Sequence, residues 1–385
     1  MRSARLDVRP LISHRFAFGA AGAAYDLLAD RTRTSLGIVL DYPDESRAPA
    51  VIRKMTLRAP APGQIVPKPA VAFIGAGNYA GRVLIPAFRA SGARLFAVAT
   101  ASGINAARYG RQYGFEVTST DVDALLAERE VDLVVIATRH DTHAQFVQRA
   151  LAAGKHVFVE KPLALTGSEI VGIETALRDP VRQHTQRLMI GFNRRFAPLA
   201  MRMKALLGAV REPKSIVITV NAGAVSAGHW ILGSEGGGRL IGEACHFIDF
   251  LRFLAGCPII DSVARRTEGQ GAGSVDPTFC ITLRFEDGSL GTIHYLTRGH
   301  ASYPKERVEV FAGGRVLQLD NFRRLRTYGW PGFRSQRLWR QDKGQNACAA
   351  AFVGAIKSGD ASPIPLEEIL EVSRVTIAVS EATRH

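Results

Sequence analysis

The sequence predicts an α/β fold: a doubly wound parallel sheet followed by an α+β domain with an open, mostly antiparallel sheet. Three observations predict it. The run Val71 to Gly81, VAFIGAGNYAG, is an apolar strand that breaks into closely spaced glycines and then a helix start. Apolar runs and amphipathic stretches alternate from there to Gly191. Beyond that point, strands joined by Asp-Gly and Gly-Gly turns replace the alternation.

Residues 1–58 stand outside this series. They hold a short extended piece (VRPLISHRF), a helical stretch from Gly19 to Leu28 and a strand from Leu36 to Tyr42. Residues 59–69 are proline-rich and read as a stiff linker. The next two divisions are 70–192 and 193–385.

In 70–192 the glycine turn gives the Rossmann-type reading. Gly75 permits the turn, Gly77 lets backbone approach a pyrophosphate with Asn78 and Tyr79 beside it, and Gly81 lets the helix from Tyr79 to about Arg89 lie close to the strand. A purely structural glycine turn is the alternative. The second strand, Ala93 to Ala99, ends in Thr100, Ala101 and Ser102, with no carboxylate for a ribose 2′-hydroxyl. Thr100 and Ser102 could bond a 2′-phosphate, so the expected cofactor is NAD or NADP, inclining to NADP. A helix ending at Gly114, a strand at Phe115 to Val117 and a helix begun by Thr120 or Asp121 follow.

Val131 to Ala137 is continuously apolar, as a strand buried on both faces should be. Its end, TRHDTH, should face the cofactor through Thr138 and His143, the alternative for His143 being local packing in a helix capped by Asp141 or Thr142. His156 to Val159 then runs into Glu160, Lys161 and Pro162. A charged pair at a buried strand's end is costly unless something uses it; the alternative is a surface ion pair. Thr166 and Glu169 form a capping box, and Leu188 to Gly191 closes the series.

Asn193, Arg194 and Arg195 sit at the crossover into 193–385, where they and Trp230 are expected to reach a substrate. A helix bearing Leu199, Met203 and Leu206 follows, then strands: Ile216 to Val220, Phe279 to Phe285, Leu290 to Leu296, Arg307 to Phe311 and Arg315 to Leu319. Between the first two, Phe247, Ile248, Leu251 and Leu254 recur at helical spacing, which puts Glu243, His246 and Asp249 near one side. Their three-residue steps drift around the helix and no third ligand segment is evident, so no metal is expected. Asp249 reads as a helix-face hydrogen-bond partner. Gly236 to Gly238 could let backbone approach a ligand. Two closing helices span Asn346 to Ile356 and Leu366 to about Ala382.

Charge and cysteine usage narrow the function. The chain of 385 residues has a formal charge of +14, with Arg323, Arg324, Arg326, Arg334, Arg337 and Arg340 as its densest cluster and aromatics interleaved. That cluster could stack bases, line a solvated or subunit-facing surface, or form a basic mouth for an anionic substrate; no nucleic-acid partner is expected. Cys245, Cys257, Cys280 and Cys348 are scattered, which suits reduced thiols in a cytoplasmic protein. No apolar run reaches membrane-spanning length.

The stretch GKHVFVEKPLALT resembles the Glu-Lys-Pro segment of the Gfo/Idh/MocA oxidoreductases, and the resemblance extends over residues 70–385. It implies that Lys161 lies beside the nicotinamide and holds the reacting oxygen, with Glu160 on the ribose side. An ammonium there stabilises negative charge as hydride leaves or arrives. The family also supplies an acid and a histidine four residues apart on the substrate helix. His246 matches, whereas the acid's usual position is Gly242 and the carboxylate is Glu243, about 100° further round. That angle turns Glu243 away from the site, so the proton relay would rest on Lys161 and His246, and Glu243, counted with them as a catalytic candidate, would instead orient His246 across one turn.

RPLISHRFAFGAAGAAYDLL with LGIVLDY, within residues 6–42, is similar to the C-terminal tail of a medium-chain alcohol dehydrogenase, as in bi-domain fusions of the two units. No chemistry is assigned to it. The expected activity is NAD(P)-dependent hydride transfer at a secondary hydroxyl or ketone of a sugar, sugar derivative or cyclic polyol, in a homo-oligomer formed through the open sheet. The second reading is a catalytically inactive cofactor-binding protein.

Overall fold

Fully apolar strands can be satisfied only where both faces of a sheet are covered, and the chain builds such a sheet around Ala70–Ile74. The structure, a computed structural model, describes residues 7–30, 32–42, 53–58, 69–178, 186–226, 228–267 and 278–383. The prolines of the linker, apart from Pro69, lie outside the described residues. The chain divides into two units, Met1–Arg53 and Lys54–His385.

In the first unit β1 (His14–Ala17) pairs in parallel with β2 (Ile38–Asp41). A 3₁₀ turn at Phe18–Ala20 leads into the helix Ala21–Ala29, of which Ala24 and Leu27 are buried. Leu11, Phe18, Tyr25, Leu28, Leu36 and Tyr42 are exposed, so this unit has little core.

The second unit contains both large sheets. The first comprises β3 (Lys54–Thr56), β4 (Ala70–Ile74), β5 (Arg94–Ala99), β6 (Val117–Ser119), β7 (Leu133–Ile136), β8 (His156–Val159) and β9 (Leu188–Ile190), in the order β3-β6-β5-β4-β7-β8-β9. Every pairing is parallel except β3 on β6, an edge that the sequence pattern does not reveal. β4, β5 and β7 are buried at every position.

Three local details depart from expectation. The first helix opens as a π-helical turn, Ala80–Leu84, before Ile85–Ala90. A Cβ on Gly81 would lie 2.2 Å from the Tyr109 ring, so this glycine admits the neighbouring helix Ile104–Tyr113 instead of serving the strand. Phe115 precedes β6 and packs edge-on against Phe73 at 5.8 Å, which moves the strand to Val117–Ser119.

The second sheet holds β10 (Ser215–Asn221), β11 (Ile259–Arg266), β12 (Phe279–Phe285), β13 (Leu290–Leu296), β14 (Glu306–Ala312), β15 (Arg315–Asp320), β16 (Arg324–Tyr328) and β17 (Ser335–Arg337). Their order is β11-β12-β13-β10-β14-β15-β16-β17, with β10 on β13 the parallel pair and the rest antiparallel. The turns at Gly288 (φ +82°) and at Gly313 and Gly314 (φ +57° and +69°) are the expected hairpins. One face packs on the helix Cys245–Ala255, which is buried at every residue but Phe253. Among the described residues no helix is long and apolar enough to cross a membrane.

Candidate active site

The glycine turn after β4 fits the approach of a dinucleotide phosphate. Gly75 has φ +94°, and a Cβ there would lie 2.4 Å from the Ala137 carbonyl oxygen, so the turn itself requires glycine. Gly77 is different: a Cβ there would meet no atom of the described residues within 4 Å, so the space beside its backbone is open to a phosphate. Gly77, Asn78 and Tyr79 are exposed, and the Tyr79 hydroxyl lies within reach of Gln345 and of the charge of Glu160.

At the end of β5, the Thr100 hydroxyl accepts a hydrogen bond from the Gly103 N–H at 3.1 Å and closes the turn. Ser102 beside it is exposed. Across the turn, Thr138 shares a 2.7 Å hydrogen bond with Thr142, and its methyl group lies 3.0 Å from where a Gly75 Cβ would be.

Lys161 stands at the carboxyl end of β8, where the chain leaves the sheet through a cis Lys161-Pro162 bond. Its ammonium donates to the Gly242 carbonyl at 2.8 Å. His140, His143, Glu160, Glu243, Cys245 and His246 all lie within reach of its charge. Glu160 is buried against Gly191, where a Cβ would come within 2.6 Å of the carboxylate. Burial outweighs the charges of Lys161 and Arg194 and pushes its carboxyl up to about 7.

His246 is buried on the helix Cys245–Ala255, and its Nδ1 has no hydrogen-bond partner among the described residues. Burial, helped by Arg194, Lys161 and Lys343, holds its pKa well below the ordinary value, so the ring is neutral. Glu243 does not orient it. That carboxylate accepts from the Tyr295 hydroxyl and from Arg239 at 3.4 Å. Burial would raise Glu243, but Tyr295, Arg239 and Lys161 override it and keep the group ionised.

Four expected contacts take other roles. His143 is fully enclosed; Nδ1 faces the Pro162 carbonyl at 2.7 Å and Nε2 the Thr138 carbonyl at 3.3 Å. It ties the Lys161 loop to the end of β7 and leaves no ring atom for a cofactor. Arg195 is locked between Asp249 and Glu368, and burial leaves the Asp249 carboxyl at about 6 despite that guanidinium. Arg194 makes a two-pronged pair with Glu306 at 2.8 and 3.1 Å, and Lys343 joins at 2.7 Å. Burial opposes ionisation of Glu306, but Arg194 and Lys343 hold it at about 2. The Asn193 amide donates to the Lys343 carbonyl at 2.6 Å. The crossover is thus a buried ionic knot that fixes the substrate helix, and only its electric field reaches His246.

Trp230 carries the Arg139 guanidinium 4.3 Å above its ring and takes His140 edge-on at 4.7 Å. His140, which the sequence pattern did not single out, sits beside Lys161 in the middle of the expected cofactor-facing stretch. At Gly236 a Cβ would strike the Ile231 backbone at 2.3 Å, so internal packing by itself requires this glycine. Among the described residues no group of His, Cys, Asp or Glu is arranged to hold a metal ion.

Comparison with known proteins agrees with this layout. A family model described as "Oxidoreductase family, NAD-binding Rossmann fold" matches residues 70–191, and one for the GFO/IDH/MocA C-terminal domain matches residues 204–314. The inositol 2-dehydrogenase of Rhizobium meliloti is 35% identical over 239 residues, covering 60% of this chain and 69% of that protein. The myo-inositol 2-dehydrogenase of Thermotoga maritima is 31% identical over 219 residues (54% and 63%). An uncharacterised oxidoreductase of Bacillus subtilis is 29% identical over 236 residues (58% and 66%), so the match spans about two thirds of these relatives. A levoglucosan dehydrogenase solved with NADH and levoglucosan shares the fold, with TM-score 0.72 and 22% identity over 82% of this chain and 97% of that one. A nucleotide fold opening at Ala70 and a C-terminal sheet domain follow one another here in the family's own order, and the chain belongs to the Gfo/Idh/MocA family of oxidoreductases.

Proposed function

We propose that this protein is an NAD(P)-dependent oxidoreductase acting on a secondary hydroxyl, or the matching ketone, of a sugar, sugar derivative or cyclic polyol. The observation that carries the proposal is Lys161. It presents an ammonium at the carboxyl end of the parallel strand β8, with one N–H held by the Gly242 carbonyl and two without a partner among the described residues to bind a substrate oxygen. Gly75, Gly77, Asn78 and Tyr79 would hold the dinucleotide's phosphates, and Thr138 and Glu160 its nicotinamide side. When bound, the nicotinamide supplies the hydride acceptor or donor.

The chain's own part is positioning and proton handling. Lys161 holds the substrate oxygen and stabilises the negative charge that develops there, and it can give or take the proton. His246, neutral and facing the same oxygen, fixes the orientation of the hydroxyl. Glu243 contributes its charge through Arg239 and Tyr295. At the adenosine end no carboxylate opposes a 2′-phosphate and Ser102 is free to bond one, which favours NADP. The names of the relatives favour a cyclic polyol or anhydro sugar. The half-exposed outer face of the second sheet supports self-association, and the likeness of residues 6–42 to a dehydrogenase tail rests on the sequence alone.

The second reading, a cofactor binder without turnover, is favoured by the absence of a carboxylate at Gly242. Titration with NADH and NADPH, followed by a screen of inositols, anhydro sugars and sugar acids, separates the two. Lys161→Ala should lower kcat by about a hundredfold or more while leaving NADH affinity within about twofold. Cofactor binding with no turnover on any of these substrates would support the binder.

A further inference from the structure

His140 has no part in the proposed chemistry, yet it is buried, held from three sides and pressed against the backbone that holds Lys161. Its Nδ1 lies 2.9 Å from the Gly236 carbonyl, an acceptor only, so Nδ1 carries the proton. Its ring meets Trp230 edge-on at 4.7 Å and lies 5.6 Å from the His143 ring. Glu235 and Arg139 clamp the same loop from outside: the Asp141 N–H donates to the Glu235 carbonyl at 3.2 Å, and the Arg139 and Glu235 side chains pair at 3.7 Å. The imidazole is thus held by one hydrogen bond and two ring contacts.

On its remaining side stands Gly242. A Cβ at 242 would lie 2.9 Å from His140 Cε1, 3.3 Å from its Nδ1 and 3.2 Å from Ile231 Cδ1. The first distance is below any real contact, and the ring it involves is packed on its other sides. The Gly242 carbonyl is also the acceptor for the Lys161 ammonium. His140, with Ile231 beside it, thus crowds out a substituent at 242, the residue whose carbonyl receives the ammonium. Burial keeps the ring neutral, down at about 3, so it adds no charge beside Lys161.

We propose that His140 is a positioning residue for Lys161: wedged between Trp230 and Gly242, it fixes the backbone carbonyl that receives the ammonium and restricts position 242 to glycine. The inference rests on the oxidoreductase reading only in its effect on turnover. A mutant cycle on the full chain tests it, with Gly242→Ala, His140→Ala and the double variant.

Gly242→Ala alone should lower Tm by several degrees, and adding His140→Ala should remove that loss, leaving the double variant at the Tm of His140→Ala. His140→Ala should lower kcat by about tenfold with KM and NADH affinity within about twofold, because binding survives and aim does not. It should also shift the nitrogen-15 ammonium resonance of Lys161, assigned by its disappearance in Lys161→Arg. Additive Tm losses in the cycle, an unchanged ammonium resonance or an unchanged kcat would each overturn the proposal. If the wild type turns nothing over, the oxidoreductase reading fails, while the Tm cycle and the resonance still decide the role of His140.

Discussion

Replacing Glu160 with glutamine removes a carboxyl that the fold holds in an unfavourable place. It lies behind β8, only 7% exposed, with burial raising its pKa from 4.5 to about 7. Between those two values the folded chain binds more protons than the unfolded chain, so stability falls as pH rises, and above about 7 the whole cost is present. At about 1.4 kcal/mol per pH unit that cost is roughly 3 kcal/mol. Glu160→Gln escapes it. Wild type and variant should melt alike near pH 4.5, and the variant should gain progressively up to pH 8, by about 5 °C for a chain of this size. Circular-dichroism melts of both proteins between pH 4 and 8.5 measure this. A Tm difference that does not change with pH, or one that grows toward acid, would refute the argument that burial dominates at Glu160.

Other predictions follow from the same geometry. Gly77→Val should abolish NADH fluorescence enhancement with Tm nearly unchanged, because its side chain meets only the ligand's space, whereas Gly75→Ala should cost stability through the Ala137 carbonyl and its positive φ. Arg195→Met leaves Asp249 buried without its partner and should destabilise the chain by about 3–5 kcal/mol in denaturant melts, a loss that Asp249→Asn should partly relieve. The pH profile of kcat/KM should lack an imidazole limb near 6.5, since His140, His143 and His246 are all held neutral by burial. A limb near 7 should instead belong to Glu160 and vanish in Glu160→Gln.

What the sequence made legible was local. The strand-turn of Val71 to Gly81, the capping box of Thr166 and Glu169 and the Asp287-Gly288 hairpin rest on neighbours within a few residues, and the structure shows each. Arg194 and Arg195 misled because arginines at the crossover between two domains look like ligand contacts, while their partners Glu306, Asp249 and Glu368 lie 112, 54 and 173 residues away. No periodicity reports such pairs. Thr142 does stand at the N-cap of the helix His143–Ala152, but its hydroxyl makes no capping bond and donates instead to the Arg139 carbonyl at 2.7 Å. His140 was hidden in TRHDTH, since its significance comes from a glycine in another domain of the fold.

The antiparallel strand β3 carries a practical lesson. It lies ahead of the segment that the family model matches, yet its ladder with β6, the Leu57 and Arg58 amides bonded to the Glu116 carbonyl, and Leu57 seated where Gly110 leaves room make it part of the sheet. A chain trimmed to residue 70 would keep every residue of the nucleotide motif and lose this border strand. The outer backbone of Val117–Ser119 would then stand unpaired, a template for strands of other molecules. Such a trimmed protein should sediment as growing aggregates in a centrifuge even where its cofactor turn is intact: the stretch that similarity delimits is shorter than the stretch that keeps molecules apart.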